Sequence, residues 1–475
     1  MSAGEVLGLE TISEYIDRAD QNTPFVYRPL SIQSSEIRLL TLHGPEPFSG
    51  LLGASIDHYS LQGQREYVAL SYCWGTDVKD KSIRVNGRVF AVTENLHHAL
   101  WSLRDQRIST VWVDAICIKQ DDPVEKSSQI QQMMSIYRSA YEVIVWLGPA
   151  YDCSDFAMDV IHQVGDSNPE NIKQMELRRL MQQVNDSRRK RIRRQGNDIS
   201  ADQQWDAILS LLRRPYWARV WILQELAAAV QIRLVCGTRM TDWDNFMIFL
   251  SLPELRKICH YWKAVHAVLL IRERMLEGNP QSLMQTPSDS SLSKATDLRD
   301  KIYALLGITV DGTRLVPVPN YTISLAELYQ KLTVSSIISR RSLDIICLQR
   351  FDSSLEARMA GPTWSPDWLA LTSDGFERRM SLGLDGPHGK SASRISQAQL
   401  SQYSRILARP SSERLQVSGW CLGEITVVGT VWSEDQSTIL ESLDVAQTSA
   451  VPARSPISDQ DVWLRIGYLF LDSQI

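Results

Sequence analysis

TVWVDAICIKQDDPVEKSSQIQQMMSIYRSAYEVIVWLG, residues Thr110 to Gly148, decides the fold, because it reads as strand, helix, strand. TVWVDAICI (Thr110 to Ile118) is almost continuously apolar, as a strand buried on both faces should be. In DDPVEK, Asp122 can cap, Pro123 suits the first helical position and Glu125 falls where a capping box places its acid. Ile130, Met133, Met134 and Tyr137 then share one stripe of the helix, and EVIVWLG (Glu142 to Gly148) is the next buried strand.

The same rhythm extends outward. Upstream, SEIRLLTL (Ser35 to Leu42) and YVALSYCW (Tyr67 to Trp74) read as strands. SIRVNGRVFAV is a hairpin turning at Asn86-Gly87, and Thr93 caps a helix whose Leu96, Leu100 and Leu103 face one way. Downstream, RRPYWARVWILQELAAA (Arg213 to Ala229) predicts one amphipathic helix, followed by the strand QIRLVCG (Gln231 to Gly237). The stretch Asp155 to Asp202 interrupts as a polar insertion. Its run RRKRIRR (Arg188 to Arg194) reads as a solvated helix or loop, or more sharply as a nuclear-import or nucleic-acid patch without nearby aromatic support.

The expected fold is α/β, a flavodoxin-like, mainly parallel sheet flanked by helices, with right-handed crossovers. Beyond it the chain predicts a mainly helical C-terminal region containing a small β element. The helical segments are Trp243 to Leu250, Leu255 to Leu276, Asp297 to Ile308 and Ser324 to Ile338, with a loop over Gly278 to Ser293. The β element is Glu413 to Trp432, between weakly ordered stretches at Asp374 to Gln399 and Ser433 to Asp459. The corresponding domains are a lead at 1–64 with one or two strands, a core at 65–237 with its basic insertion near 155–202, a helical extension at 238–371 and a loosely ordered region with the small β element at 372–475.

Composition narrows the function. The 475 residues carry 50 Lys plus Arg against 55 Asp plus Glu, a net charge of -5 that argues against bulk polyanion binding. With 44% hydrophobic and 22% charged residues the chain should bury sizeable cores. The segment Met1 to Asp20 lacks the pattern of a secretory signal, and no apolar run approaches the ~18 residues of a membrane span. The 7 cysteines are scattered and form no C-x-x-C pair, which predicts reduced thiols, a cytoplasmic or nuclear setting and no zinc. GLDGPHGKS (Gly383 to Ser391) fails the spacing of a phosphate loop, and there is no H-E-x-x-H, no G-x-G-x-x-G after a strand and no G-x-S-x-G.

YVALSYCWG (Tyr67 to Gly75), the Val111 to Gly148 stretch and RPYWARVWILQE (Arg214 to Glu225) resemble, in order, the three signature blocks of the fungal heterokaryon-incompatibility (HET) domain. DLRDKIYALLG, VPNY and PTWSPDW (Pro362 to Trp368) are similar to the extensions of long family members, while Lys119 stands where the family usually has Asn. The resemblance implies an effector of self/non-self recognition and programmed cell death. At the level of strand and helix order it also resembles the Toll/interleukin-receptor (TIR) fold, whose NAD-cleaving members use a glutamate in a W-x-x-x-E pattern. Trp221 and Glu225 match that pattern, and Ser71-Tyr72 matches the S-Y pair ending the first strand.

In an open parallel sheet the ligand crevice lies beyond the carboxyl ends of the strands, which here carry Ser71, Tyr72, Trp74, Gly75 and Asp114. Spacing of four places Trp217, Trp221 and Glu225 on one helix face, where indoles would raise the carboxyl's pKa. Glu225 is thus the candidate catalytic acid, and the other seven are candidate substrate-binding residues. NAD is the candidate substrate rather than a cofactor, its oxocarbenium-like transition state being stabilised by one placed carboxylate. Against this, Glu225 can pair with Arg219 or Arg214, the tryptophans can be core, and Asp114 can cap a loop. Cys73 and Cys117 read as core residues, and adjacent His97 and His98 point to different faces. Two other functions fit the same residues: a non-catalytic module that self-associates or binds a signalling partner, and a HET scaffold recruited to secondary metabolism.

Overall fold

The computed structural model describes residues 25–345 apart from 32–34, 48, 64, 76–77, 166–176, 192–199, 257–258, 285, 287–292 and 341–344, together with residues 365, 366 and 368. The chain divides into two compact units at Thr322/Ile323. In the first, short apolar segments form β1 (Glu36–Pro45), β2 (Leu52–Ser60), β3 (Val68–Tyr72), β4 (Lys81–Val85), β5 (Arg88–Val92), β6 (Thr110–Trp112), β7 (Glu142–Trp146), β8 (Ile232–Cys236) and β9 (Arg239–Asp242). They build one 9-stranded sheet of order β5-β4-β2-β1-β6-β3-β7-β8-β9.

The fold is α/β, with a mixed sheet whose central strands are parallel. β6, β3, β7 and β8 pair in parallel, and β2 pairs in parallel with β4. Every residue of β7 is buried, which is what its uninterrupted EVIVW sequence requires of a strand covered on both faces. β1 runs the other way and separates the two parallel groups, pairing antiparallel with β2 and β6. The edge strands β5 and β9 are also antiparallel to their neighbours.

The flanking helices are α1 (Glu94–Asp105), α2 (Pro123–Ser139), α3 (Ser154–Gly165), α4 (Leu177–Arg191), α5 (Ala201–Leu212), α6 (Ile222–Ala228), α7 (Trp243–Ser251) and α8 (Cys259–Leu276). Thr93 caps α1 and Asp122 caps α2, with Pro123 at its start. The β4–β5 turn places Asn86 and Gly87 at φ 49° and 76°, as the Asn-Gly signal demands. Among the described residues, no helix is long and apolar enough to cross a membrane. The second unit contributes α9 (Leu325–Arg340), where Thr333 Oγ1 donates to the Tyr329 carbonyl at 2.7 Å and accepts from Trp368 Nε1 at 3.1 Å.

Several local expectations are corrected. The predicted strand Thr110 to Ile118 stops at Trp112, and Asp114–Cys117 forms one helical turn instead, its amides satisfied by Val113 and Asp114 carbonyls. Glu125 does not close a capping box; it turns to Arg38 at 2.6 and 2.9 Å and to the Lys119 amide at 2.7 Å. The polar insertion is partly core: α3 buries Phe156, Met158, Val160 and Ile161, and α4 buries Leu177, Leu180 and Met181. Arg188 is held there by Asp159 at 2.9 Å and by Asp155, so the basic run up to Arg191 belongs to a packed helix. Asp297 to Ile308 is two short turns, Asp300–Tyr303 and Leu306–Ile308, rather than one helix, and ahead of them Arg299 folds back onto Asp297 at 2.6–3.1 Å. Leu255 to Leu276 is helical on both sides of residues 257 and 258, over Pro253–Arg256 and α8. The proposed β element Glu413 to Trp432, the stretches flanking it and Gly383 to Ser391 lie outside the described residues.

One glycine is indispensable to the β8–β9 turn. Gly237 has φ 58°, and a Cβ there would meet the Ala150 Cβ at 2.8 Å. Gly237→Ala is expected to cost about 1–3 kcal/mol, read as a lower urea midpoint.

Candidate functional site

The region Arg213 to Ala229 is not one helix. Pro215–Ala218 forms a 3-10 turn, Arg219 is extended at ψ 135°, and α6 begins only at Ile222. This break dissolves the expected single face of Trp217, Trp221 and Glu225 and sends each side chain to a different partner.

Trp217 is 3% exposed; its ring stacks on Phe246 of α7 at 5.2 Å and 10°, and its Nε1 donates to the Leu211 carbonyl at 3.1 Å. Half-buried Trp221 hydrogen-bonds Asp300, whose carboxyl also accepts from Tyr321 Oη at 2.7 Å; burial pushes the Asp300 carboxyl up. Both indoles are engaged by protein partners.

Glu225 goes inward. It is 1% exposed, and its Oε2 accepts from Ser71 Oγ at the end of β3. Tyr216 Oη lies 2.7 Å from the same Ser71 Oγ. Since the single serine proton is directed at the carboxylate, Tyr216 is the donor in the second bond, giving the chain Tyr216 to Ser71 to Glu225. Arg219 Nη1 stands 3.7 Å from Glu225 Oε1 and donates to the Tyr72 carbonyl. Burial raises the Glu225 carboxyl from 4.5 to about 7, against the opposing pull of Arg219 and the Ser71 hydrogen bond. Tyr72, 2% exposed, is likewise pushed well above the ordinary tyrosine range by burial. The structure therefore brings Ser71, Tyr72 and Glu225 together in an interior polar knot, with Tyr216 and Arg219 as members the sequence did not single out as site residues.

The rim lies just outside this knot. Trp74 Nε1 donates to Asp114 Oδ2 at 2.9 Å, while Asp114 Oδ1 accepts from the Ala115 amide at 2.7 Å, capping its own helical turn. Burial raises the Asp114 carboxyl and Arg219 lowers it, so one guanidinium spans the interior and rim acids. Gly75 is exposed at φ 77°. Asn95 locks the loop after β3: its Nδ2 donates to the Cys73 carbonyl at 2.6 Å and its Oδ1 accepts from Trp146 Nε1 at 2.9 Å. Only the pairing of an Asn with the first turn of α1 hinted at that role. Cys117 is a core residue whose thiol burial pushes up to about 12. Among the described residues, no group of three or more His, Cys, Asp or Glu side chains is arranged to hold a metal.

A second anchor was invisible in the sequence. Arg272 of α8 donates to the Ala229 carbonyl at 2.7 Å and to the Leu226 carbonyl, satisfying the free end of α6 that carries Glu225.

Residues 67–225, which run from the start of β3 to Glu225, match the family model described as Heterokaryon incompatibility protein (HET). Heterokaryon incompatibility protein 6, OR allele, of Neurospora crassa is 27% identical over 465 aligned residues, covering 84% of this chain. The chain spans 65% of that relative's length. No solved structure matches the chain significantly.

Proposed function

We propose that this chain, with its HET domain at residues 67–225, acts in heterokaryon incompatibility as an effector of self/non-self recognition and cell-death signalling. The observation that carries the reading is the family match, whose two ends meet in space as the Ser71–Glu225 pair. The mode the geometry supports best is association with a second copy or another signalling protein, from a core closed around its own polar residues. Glu225 has no open face, and Trp217 is spent on Phe246.

NAD glycohydrolysis is a second reading, favoured by one feature: a carboxyl raised to about 7 is poised to exchange a proton near neutrality. It requires Glu225 to become accessible, for example through displacement of the Arg219 turn on assembly. Purified chain incubated with NAD is expected to release no more nicotinamide than its Glu225→Gln variant. Release that disappears in the variant would replace the association mode with glycohydrolysis. Induced expression in a fungal host is expected to stop growth with either side chain at 225; killing that depends on the acid, together with release, would point the same way.

A further inference from the structure

A second feature lies on the β1–β2 side of the sheet. Beside β1, β2 and the β4–β5 turn, a cavity of about 190 Å³ is lined by residues that include Phe25, Arg28, Arg38, His58, Asn86 and Arg88. An adjoining hollow of about 480 Å³ shares Arg28 and His58. Register brings these together: Arg38 of β1 stands opposite His58 of β2, and Asn86-Gly87 turns the chain so that Arg88 opens β5.

Arg38 is the buried floor, 1% exposed. Its Nη1 and Nη2 are used up on Glu125, the Cys117 carbonyl at 3.0 Å and the Arg28 carbonyl at 2.7 Å, but its Nε has no hydrogen-bond partner among the described residues. A buried N–H of that kind is destabilising unless something accepts from it. Glu125 is consumed by Arg38, and Glu36 lies 3.3 Å from His58 Nδ1. Among the described residues no carboxylate pairs with Arg28 or Arg88. The cavity therefore gathers two uncompensated guanidinium groups, an unsatisfied buried N–H and an imidazole. One wall is aromatic, with Phe25 packed edge-on against Tyr27 at 5.0 Å and Phe90 at 5.8 Å. Forked cations beside an acceptor-seeking N–H match phosphate oxygens, and the volume suits a pair of phosphates better than a whole nucleotide.

We propose that this cavity binds the diphosphate group of a soluble phosphorylated small molecule, with Arg28 and Arg88 clamping its oxygens, Arg38 Nε donating from the floor and Phe25 covering one side. The site is independent of Glu225 and of the mode of action proposed above.

Calorimetric titration of the full chain with inorganic pyrophosphate at low ionic strength tests it. Binding is expected, weakened about tenfold by Arg88→Ala and further by Arg28→Ala with Arg88→Ala, and reduced by added salt. Both residues lie at exposed or half-buried positions, so the variants should fold, which circular dichroism verifies. Arg138→Ala, removing one exposed charge elsewhere, should leave binding unchanged. No heat of binding, or equal affinity in the double variant, would overturn the site. Capture by phosphatidylcholine vesicles carrying a phosphoinositide, without binding of free pyrophosphate, would overturn its assignment to a soluble ligand.

Discussion

Glu225→Ala is expected to lower the unfolding free energy by about 3–5 kcal/mol, whereas Glu225→Gln should cost about 1 kcal/mol or less. Alanine leaves a cavity in the interior, a Ser71 hydroxyl without its acceptor and an Arg219 charge without its nearest partner. Glutamine keeps the volume and an acceptor for Ser71. The two also differ in pH dependence. The folded carboxyl titrates near 7 and the unfolded one near 4.5, so between those values the folded state holds a proton that the unfolded state has lost. Stability from this group is therefore fully present below 4.5 and falls as pH rises towards 7, by an amount on the order of 3 kcal/mol. Urea unfolding of the parent chain and Glu225→Gln at several pH values isolates the group. A difference between them that stays flat from pH 4.5 to 7 would show that the acid is not held neutral by burial.

Arg38→Ala is expected to be as damaging, at about 3–5 kcal/mol, since it strands the Glu125 carboxylate, whose side chain is 10% exposed, and frees the Cys117 and Arg28 carbonyls. Arg38→Lys keeps the charge but not the two-pronged grip, and should recover roughly half of that loss. Urea midpoints read both. A loss below about 1 kcal/mol in Arg38→Ala would mean that Arg38 does not hold the N-terminal lead, β1 and α2 together.

Much of the fold was legible because period and punctuation coincide. Asn86-Gly87, Thr93, Asp122-Pro123 and the uninterrupted EVIVW each carry a local reason strong enough to survive tertiary packing. The site was legible only in part. Ser71, Tyr72, Asp114 and Glu225 were found as residues, but their orientation was not. The apolar periodicity of Arg213 to Ala229 is equally consistent with a helix broken at Arg219, and what breaks it is non-local: the Val220 amide bonds the Lys294 carbonyl and the Arg219 guanidinium bonds Tyr72. Arg38 could not be ranked above the other arginines, because its three partners come from residues 10, 79 and 87 positions away. The lead was expected to hold one or two strands, but β2 could not be located because it mixes Asp57 and His58 into its pattern, and β9, with only four residues, went unread.

The pairing of Ser71 with a residue 154 positions later has a consequence for biosynthesis. At about 5–20 residues per second, a ribosome needs roughly 8–30 s between delivering the serine and delivering its acid. Throughout that interval Ser71 lacks its α6 partner and β7 lacks its β8 neighbour, and the apolar surface they will cover must be shielded by nascent-chain chaperones or transient collapse. Slow codons between those positions would lengthen the exposure and lower the yield of native protein.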